Sequence, residues 1–396
     1  MLLRTSLVRQ FQVKINCTFA AILTLILTKD MSSTTATIHD TKLDLFAEVK
    51  TTNHEQVVFC NDNASGLKAI IAIHNTVLGP GLGGTRMWNY ATEAEALNDV
   101  LRLSRGMTYK AAISGLNLGG AKAVIIGDAS RNKSEALMRK FGRFVENLNG
   151  KYITAEDVGT TTKDMEYVNM ETDSVAGLPE SMGGGGDPSP VTAYGVYMGM
   201  KASAKKAYGS DSLEGKKISI QGIGKVGMHL VELVSKEGAI VSVSDIIQSS
   251  LDHAAKTYNA SVVNGSEIYG LDVDIFAPCA LGGILNTDNI NALNCDIVAG
   301  AANNQLAVEE EHGMMLRKKG FLYAPDFLIN AGGLINVYSE VIGYNRENAM
   351  RDTENIYDTT LNIYDLADSK DMHTQKAAIL LAQKRIDDIA SVQSTY

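Results

Sequence analysis

Apolar positions along the chain fall into two series separated by one glycine run. In the first, from about Leu43 to Met182, a strand-like block LKAIIAIHN (67–75) precedes residues at helical spacing, Leu97, Val100 and Leu101. Thr92 and Glu95 stand ahead of them as a capping pair, and Gly106 predicts the end of that helix. KAVII (122–126) predicts a strand, and Ser134 caps a predicted helix whose stripe is Leu137, Phe141, Phe144 and Leu148. KYITAEDVGT (151–160) predicts a strand ending in two carboxylates, Glu156 and Asp157.

The run GGGGDPSP (183–190) breaks this alternation. Four glycines hold no conformation without help, and Ser189 with Pro190 predicts a helix start as N-cap and first-turn proline. The second series follows: KKISIQ (216–221) as a strand, Lys225 to Lys236 as a helix, AIVSVSD (239–245) as a strand, then VDIFAP (273–278), CDIVAG (295–300) and FLYAP (321–325). Apolar strands separated by helices imply a parallel sheet with right-handed crossovers. The tail from about Ser339 reads as helical, with Leu361, Leu366, Ile379 and Leu380 as candidate core residues, and is expected to pack back on the first domain.

Composition narrows the class. The 396 residues are 45% hydrophobic and 20% charged, enough for two domains with a large core. A net charge of −9 without a basic cluster argues against nucleic-acid or membrane-surface binding. The four cysteines, Cys17, Cys60, Cys279 and Cys295, form no CxxC unit, and the seven histidines show no HxxxH or HExxH spacing, so no disulfide framework and no metal are expected. The first thirty residues differ: Arg4, Arg9 and Lys14 precede an apolar run from Phe19 to Leu27, too short for a span of about 20 residues. They read as an over-extended start before Met31, a cleaved targeting peptide, or a structured segment. The expected location is cytoplasmic, with an organelle-targeted or exported form left open by this segment.

Between the strand 216–221 and the helix 225–236 lies GIGKVG (222–227), the context that a dinucleotide fingerprint requires. Gly222 allows the tight turn, Gly224 lets the backbone approach a pyrophosphate, and Gly227 lets helix and strand pack closely. Lys225 and Val226 open the helix whose N-terminus offers free N–H groups. Asp245 ends the next strand, where a carboxylate accepts hydrogen bonds from an adenosine ribose 2′-OH. Ile246 and Ile247 follow it, so no arginine waits for a 2′-phosphate, and NAD is expected over NADP. The alternative is a glycine turn without a ligand. The strand ends Ala277-Pro278, Gly300 to Asn304 and Asn330 to Gly333 are small and uncharged. Asn303 and Asn304 are the better nicotinamide candidates, against ordinary turn chemistry.

A second glycine stretch, MTYKAAISGLNLGGAK (107–122), is no ATP loop: a Walker A motif needs lysine directly after its last glycine, where Ala121 stands, and a hydroxyl where Ala123 stands. Lys110 and Lys122 flank what reads as a folded-back loop, so their amines can converge. Two ammonium groups in a desolvated cleft repel, and one becomes a usable base near neutral pH while the other holds a carboxylate. Asp157 can join them as proton carrier. The alternative is two solvated surface lysines.

GPGLGGTRMW, LRLSRGMTYKAAISGLNLGGAK, ITAEDVGT, GIGKVG and INAGGLINV together resemble the glutamate/leucine/phenylalanine/valine dehydrogenase family, from about Leu43 to the C-terminus. The resemblance implies an α/β fold of two domains separated by a cleft. One is an α/β substrate domain over 31–186, completed by helices over about 340–396. The other is a Rossmann-type doubly wound NAD-binding domain over 187–339. It implies that Lys110 binds the α-carboxylate, Lys122 activates water as general base, and Asp157 shuttles protons to and from the amino group. It implies that Gly83 and Gly84 line the carboxylate site and that Thr192 and Asn304 contact nicotinamide. It implies that Leu82, Ala155, Leu334 and Val337 form the side-chain pocket. All four are uncharged, which disfavours glutamate, since a buried γ-carboxylate without a partner costs several kcal/mol. Leu334 stands where such enzymes often have valine. The activity implied is NAD-dependent oxidative deamination of a branched-chain L-amino acid to a 2-oxo acid and ammonia, and its reverse, by a homo-oligomer. Phenylalanine or valine oxidation and a non-catalytic NAD-binding regulator are the alternatives.

Overall fold

The structure, a computed structural model, describes residues 45–393. The readings on the first thirty residues and on Met31 and Leu43 lie outside them. From the chain's start the described elements are α1 (Leu45–Thr52), β1 (Gln56–Asp62), β2 (Leu67–Asn75), β3 (Gly81–Trp88), α2 (Glu93–Ile113), β4 (Gly119–Ile126), α3 (Glu135–Glu146), β5 (Tyr152–Glu156) and α4 (Thr162–Asn169). The strands form one mixed sheet in the order β1-β2-β4-β3-β5, antiparallel at the β1 end and parallel from β4 to β5. Helix α2 covers one face, and α3 and α4 cover the other.

Two elements here depart from the sequence reading. GLGGTRMW forms β3 although its glycines weaken a strand. A methyl at Gly83 would lie 1.8 Å from the Ala121 carbonyl oxygen, and one at Gly84 would lie 2.4 Å from that of Glu156. The strand is squeezed between β4 and β5, so the glycines are a packing requirement that local propensity cannot see. Helix α2 does not stop at Gly106 but runs on to Ile113, because Thr108, Ala111 and Ala112 continue its buried face. Thr92 caps it as expected, accepting from Glu95 N, while Glu95 reaches past the cap to Ala91 N (2.8 Å). Lys110 therefore stands on a helix and not in a folded-back loop. The glycines of that stretch serve contact between elements: a methyl on Gly120 would lie 2.1 Å from Thr108 N, so only glycine lets β4 lie against α2.

The second body holds α5 (Ser189–Tyr208), β6 (Lys217–Gln221), α6 (Lys225–Lys236), β7 (Ile240–Ser244), α7 (Gln248–Tyr258), β8 (Ser261–Val262), β9 (Ile275–Pro278), α8 (Thr287–Ala292), β10 (Ile297–Val298), α9 (Glu309–Lys319), β11 (Leu322–Tyr323), α10 (Asp326–Ile329), α11 (Gly332–Val341) and α12 (Arg346–Ser369). Its sheet has the order β11-β10-β9-β6-β7-β8 and every pair is parallel. The order reverses between β6 and β9, the switch point where ligands sit in such sheets. At the entrance to α5 the cap is not Ser189: the Asp187 side chain accepts Ser189 N at 2.9 Å.

The tail divides. Helix α12 packs on α5, with Tyr364 bonded to Ser203 and Lys206 paired with Asp365. Only the last helix, α13 (Thr374–Gln393), returns to the first sheet's body. Its Arg385 donates to carbonyls at and just beyond the end of α2, those of Ala112 (3.1 Å) and Leu116 (2.7 Å). Of the predicted core positions Leu366 packs half-buried against the core, Leu361 and Ile379 are half-buried and Leu380 is exposed; the fully buried residues beside them are Ile363, Tyr364, Ala377 and Ala378. Among the described residues no helix is long and apolar enough to cross a membrane.

Candidate active site

A cleft of about 1080 Å³ takes its walls from both sheets' bodies. Lys110 enters from the last turn of α2, Lys122 from the middle of β4, and Asp157 from just beyond β5. Lys122 Nζ lies 2.8 Å from Asp157 Oδ2. Lys110 Nζ donates to Asn330 Oδ1 at 2.6 Å, and Asn330 Nδ2 in turn donates to Asn303 Oδ1 at 2.8 Å.

Burial sets the titration of these groups. It pushes Lys110 down to about 8, with Asp326 opposing and Lys122 adding to the fall. It lowers Lys122 as well, where the Asp157 carboxylate opposes and the Arg86 guanidinium assists the loss of the proton. Burial alone would raise Asp157; the charges of Lys122 and Arg86 outweigh it and hold the carboxyl below its ordinary value. Asp326, fully desolvated, is raised despite N–H donors from Gln305 (2.9 Å) and Phe327 (2.8 Å).

Leu82, Ala155, Leu334 and Val337 all line this cleft, as do Gly84, Asn303, Asn304 and Lys225. Gly83 does not; its Cα faces β4 inside the sheet. Thr192 stands behind the wall, its hydroxyl bonded to Pro188 O and 2.8 Å from where a Gly333 Cβ would be. Ala277 is fully buried beside Ile220, so its methyl belongs to the core. Sequence reasoning missed three groups. Arg86 follows Leu82 and Gly84 at period two, so the strand's alternation would have aimed it into the cleft had β3 been recognised. Asp99 lies behind Arg86 on α2. Glu340, one turn beyond Val337, lines the cleft and accepts Gly177 N (2.7 Å) and Gly185 N (2.9 Å).

The other glycine motif occupies the turn from β6 into α6. Gly222 has φ +90, which favours glycine. A methyl on Gly227 would lie 2.1 Å from Gly222 O, whereas Gly224 has open space around its Cα. Val226 packs against the core and Lys225 pairs with Asp187 at 3.4 Å. Asp245 accepts Ile223 N (2.7 Å) and Ile247 N (2.9 Å), which fixes its carboxylate beside the turn. An open glycine, a helix N-terminus and a fixed acid fit a dinucleotide's pyrophosphate and ribose.

The family profile for the Glu/Leu/Phe/Val dehydrogenase dimerisation domain matches residues 54–174, and that for Glutamate/Leucine/Phenylalanine/Valine dehydrogenase matches 183–250 and 246–393. The chain is 52% identical over 354 residues to leucine dehydrogenase of Bacillus cereus, covering 89% of this chain and 96% of that one. The chain belongs to the glutamate/leucine/phenylalanine/valine dehydrogenase family. The leucine dehydrogenase of Geobacillus stearothermophilus gives the same figures, 52% identity with 89% and 96% coverage. The crystal structure of L-tryptophan dehydrogenase from Nostoc punctiforme superposes with a TM-score of 0.79 at 47% identity, over 87% of this chain and 99% of that one. As a family member this chain is an amino-acid dehydrogenase that works with a nicotinamide dinucleotide.

Proposed function

We propose that the chain oxidises a branched-chain L-amino acid, leucine foremost, with NAD, giving the 2-oxo acid, ammonia and NADH, and runs the reverse reductive amination. The observation that carries this is the cleft itself. A pair of buried Lys122 and half-buried Asp157 at 2.8 Å faces the same space as Lys110 and the apolar Leu82, Ala155, Leu334 and Val337. Lys110, still largely charged below pH 8, anchors the α-carboxylate, with Gly84 leaving it room. Asp157 takes a proton from the α-ammonium. Lys122, lowered by burial, deprotonates the water that attacks the iminium carbon, and Asp157 returns its proton to the departing amine. When bound, the nicotinamide supplies the hydride acceptor. Gly222, Gly224 and Gly227 would hold its pyrophosphate, Asp245 its ribose, and Thr192, Asn303 and Asn304 its nicotinamide end.

The apolar pocket supports a hydrocarbon side chain, and Glu340 beside Val337 adds repulsion against a γ-carboxylate. Relatives named leucine dehydrogenase support leucine; the relative named L-tryptophan dehydrogenase keeps aromatic side chains as a second reading. The exposed Ile246 and Ile247 after Asp245 support NAD over NADP, since neither can hold a 2′-phosphate. The division at the glycine run, with α13 joining the first body, is the domain assignment we favour. A homo-oligomer is supported by the dimerisation-domain profile over 54–174. One kinetic panel tests the reading: leucine, valine, isoleucine, phenylalanine, tryptophan and glutamate with NAD and NADP, following NADH or NADPH absorbance. Leucine with NAD is expected to give the highest kcat/KM. A glutamate preference, or equal kcat/KM with NAD and NADP, would overturn the respective assignment.

A further inference from the structure

We propose that Arg86, braced by Asp99, is the positioning residue that aims Asp157 at the substrate's amino group. The inference rests on the roles just given to Lys122 and Asp157.

The geometry is a chain of alternating charges. Arg86 Nε lies 3.2 Å from Asp157 Oδ2, the same oxygen that Lys122 Nζ approaches at 2.8 Å. Two cations on one oxygen, with a backbone N–H from Val158 also on the carboxylate, orient the group whose second oxygen faces the α-ammonium in this reading and takes its proton to become a carboxylic acid. Arg86 is itself held from behind. Its Nη1 lies 2.9 Å from Asp99 Oδ2, which also accepts the Tyr90 hydroxyl at 2.7 Å. Asp99 Oδ1 accepts Arg102 Nη2 at 3.0 Å. The backbone is fixed too: the Thr160 hydroxyl sits 2.9 Å from both Asp157 N and the carbonyl of Thr85, the neighbour of Arg86.

Arg86, Asp157 and Asp99 side chains are 23%, 24% and 15% exposed, so the chain is shielded enough for removal of one charge to matter. Without Arg86, Asp157 and Asp99 are left as like charges across the vacated space. Asp157 is faced by Lys122 from β4, Arg86 from β3 and the Tyr152 phenol from β5, while Asp99 and Lys110 on α2 act on Lys122. Removing the guanidinium therefore makes Asp157 easier to protonate. Lys122, no longer repelled by Arg86, keeps its proton to higher pH.

The test compares Arg86→Gln, Arg86→Lys and Asp99→Asn with the parent full-length chain, using kcat, KM for leucine, the pH profile of kcat/KM and NADH affinity. In Arg86→Gln, kcat is expected to fall by about a hundredfold, the cost of a misplaced reacting group. KM should change little, because Lys110 is untouched. The acid limb of the profile should move up by about one pH unit as an opposite charge is lost from Asp157 and a like charge from Lys122. Arg86→Lys should leave the limb in place with intermediate kcat. Asp99→Asn leaves the guanidinium present but unbraced, so kcat should fall less than in Arg86→Gln, and the acid limb should move down because a carboxylate that raises Lys122 is lost; this variant carries the test if Arg86→Gln does not fold. Unchanged NADH affinity reports an intact second body. An unmoved limb in both Arg86→Gln and Asp99→Asn, whatever happens to kcat or Tm, would overturn the proposal in favour of a structural ion pair. Lys122→Ala run alongside separates the two levels: if it keeps near-normal turnover, the reading of the centre fails; if it is inactive while Arg86→Gln matches the parent, only the role of Arg86 fails.

Discussion

Lys110 and Lys122 are the same side chain in one cleft, and their surroundings assign them different work. Asn330 and Asp326 stand near the first, Asp157 and Arg86 near the second. Because burial holds Lys110 at about 8, its grip on a carboxylate should fail on the alkaline side. Binding of 4-methylpentanoate, a leucine analogue without an amino group to titrate, is expected to be constant below about pH 7. Above 8 it should weaken about tenfold per unit as the ammonium loses its proton. Calorimetric Kd values across that range check this, and a pH-independent Kd would remove Lys110 from the carboxylate site. These residues could be singled out beforehand, but their spacing said only that the lysines could meet; the family resemblance implied their separate roles. Arg86 and Asp99 could not be, because a guanidinium 13 residues from Asp99 and 71 from Asp157 gives no local signal.

At the level of elements, α2 is the positioning device. Its buried Ser104 and Thr108 are tied to two buried histidines: His54 Nε2 lies 2.7 Å from Ser104 Oγ, and His74 Nδ1 lies 2.8 Å from Thr108 Oγ1. Burial, helped by the nearby Arg105 guanidinium and, for His74, by the neighbouring His54, lowers both rings from 6.5 to about 4; the Tyr109 ring lies beside His74. Between 6.5 and 4 the unfolded chain binds protons that the folded chain refuses, so stability is fully present above about pH 6.5 and is lost as pH falls towards 4. Urea unfolding of the parent should show a loss of about 2 kcal/mol per ring between pH 7 and 5, as an upper value for a coupled pair. His54→Asn with His74→Gln should flatten that dependence; an equal slope in the double variant would place the acid sensitivity elsewhere. The cap at Thr92, the stripe of α3 and the span of α6 followed from pattern alone, since caps and periodicity are local. Strand β3 and the end of α2 did not, since both depend on which backbone lies alongside.

For the whole molecule the glycine run 183–186, where the proposed domain assignment divides the chain, is not left free. Glu340 accepts Gly177 N and Gly185 N, and Gly184 N donates to Pro179 O at 3.1 Å. A methyl on Gly185 would fall 2.6 Å from Asn336 Nδ2. This is the help that four glycines require, and it comes from α11, the helix that carries Leu334 and Val337. Pocket and glycine run are thus mechanically joined. Glu340→Ala is expected to expose the run to limited proteolysis and to change kcat and KM together, on the order of several-fold, as hinge changes do. Unaltered cleavage and kinetics would show that the carboxylate only packs.

Apolar periodicity and the glycine motif at 222–227 were enough to specify an α/β chain with a dinucleotide turn, and the spacing of Lys110 and Lys122 allowed a two-lysine centre that the family resemblance then implied. Each of those signals lies within a short window, where steric and hydrogen-bond preferences act directly. What tertiary structure decided was placement: Lys110 on a helix, Gly83 and Gly120 as contact points, the tail split between two bodies, and Arg86 with Asp99 behind Asp157. Those outcomes depend on groups distant in sequence meeting at van der Waals or hydrogen-bond range, and no local pattern encodes which backbone or charge will be there.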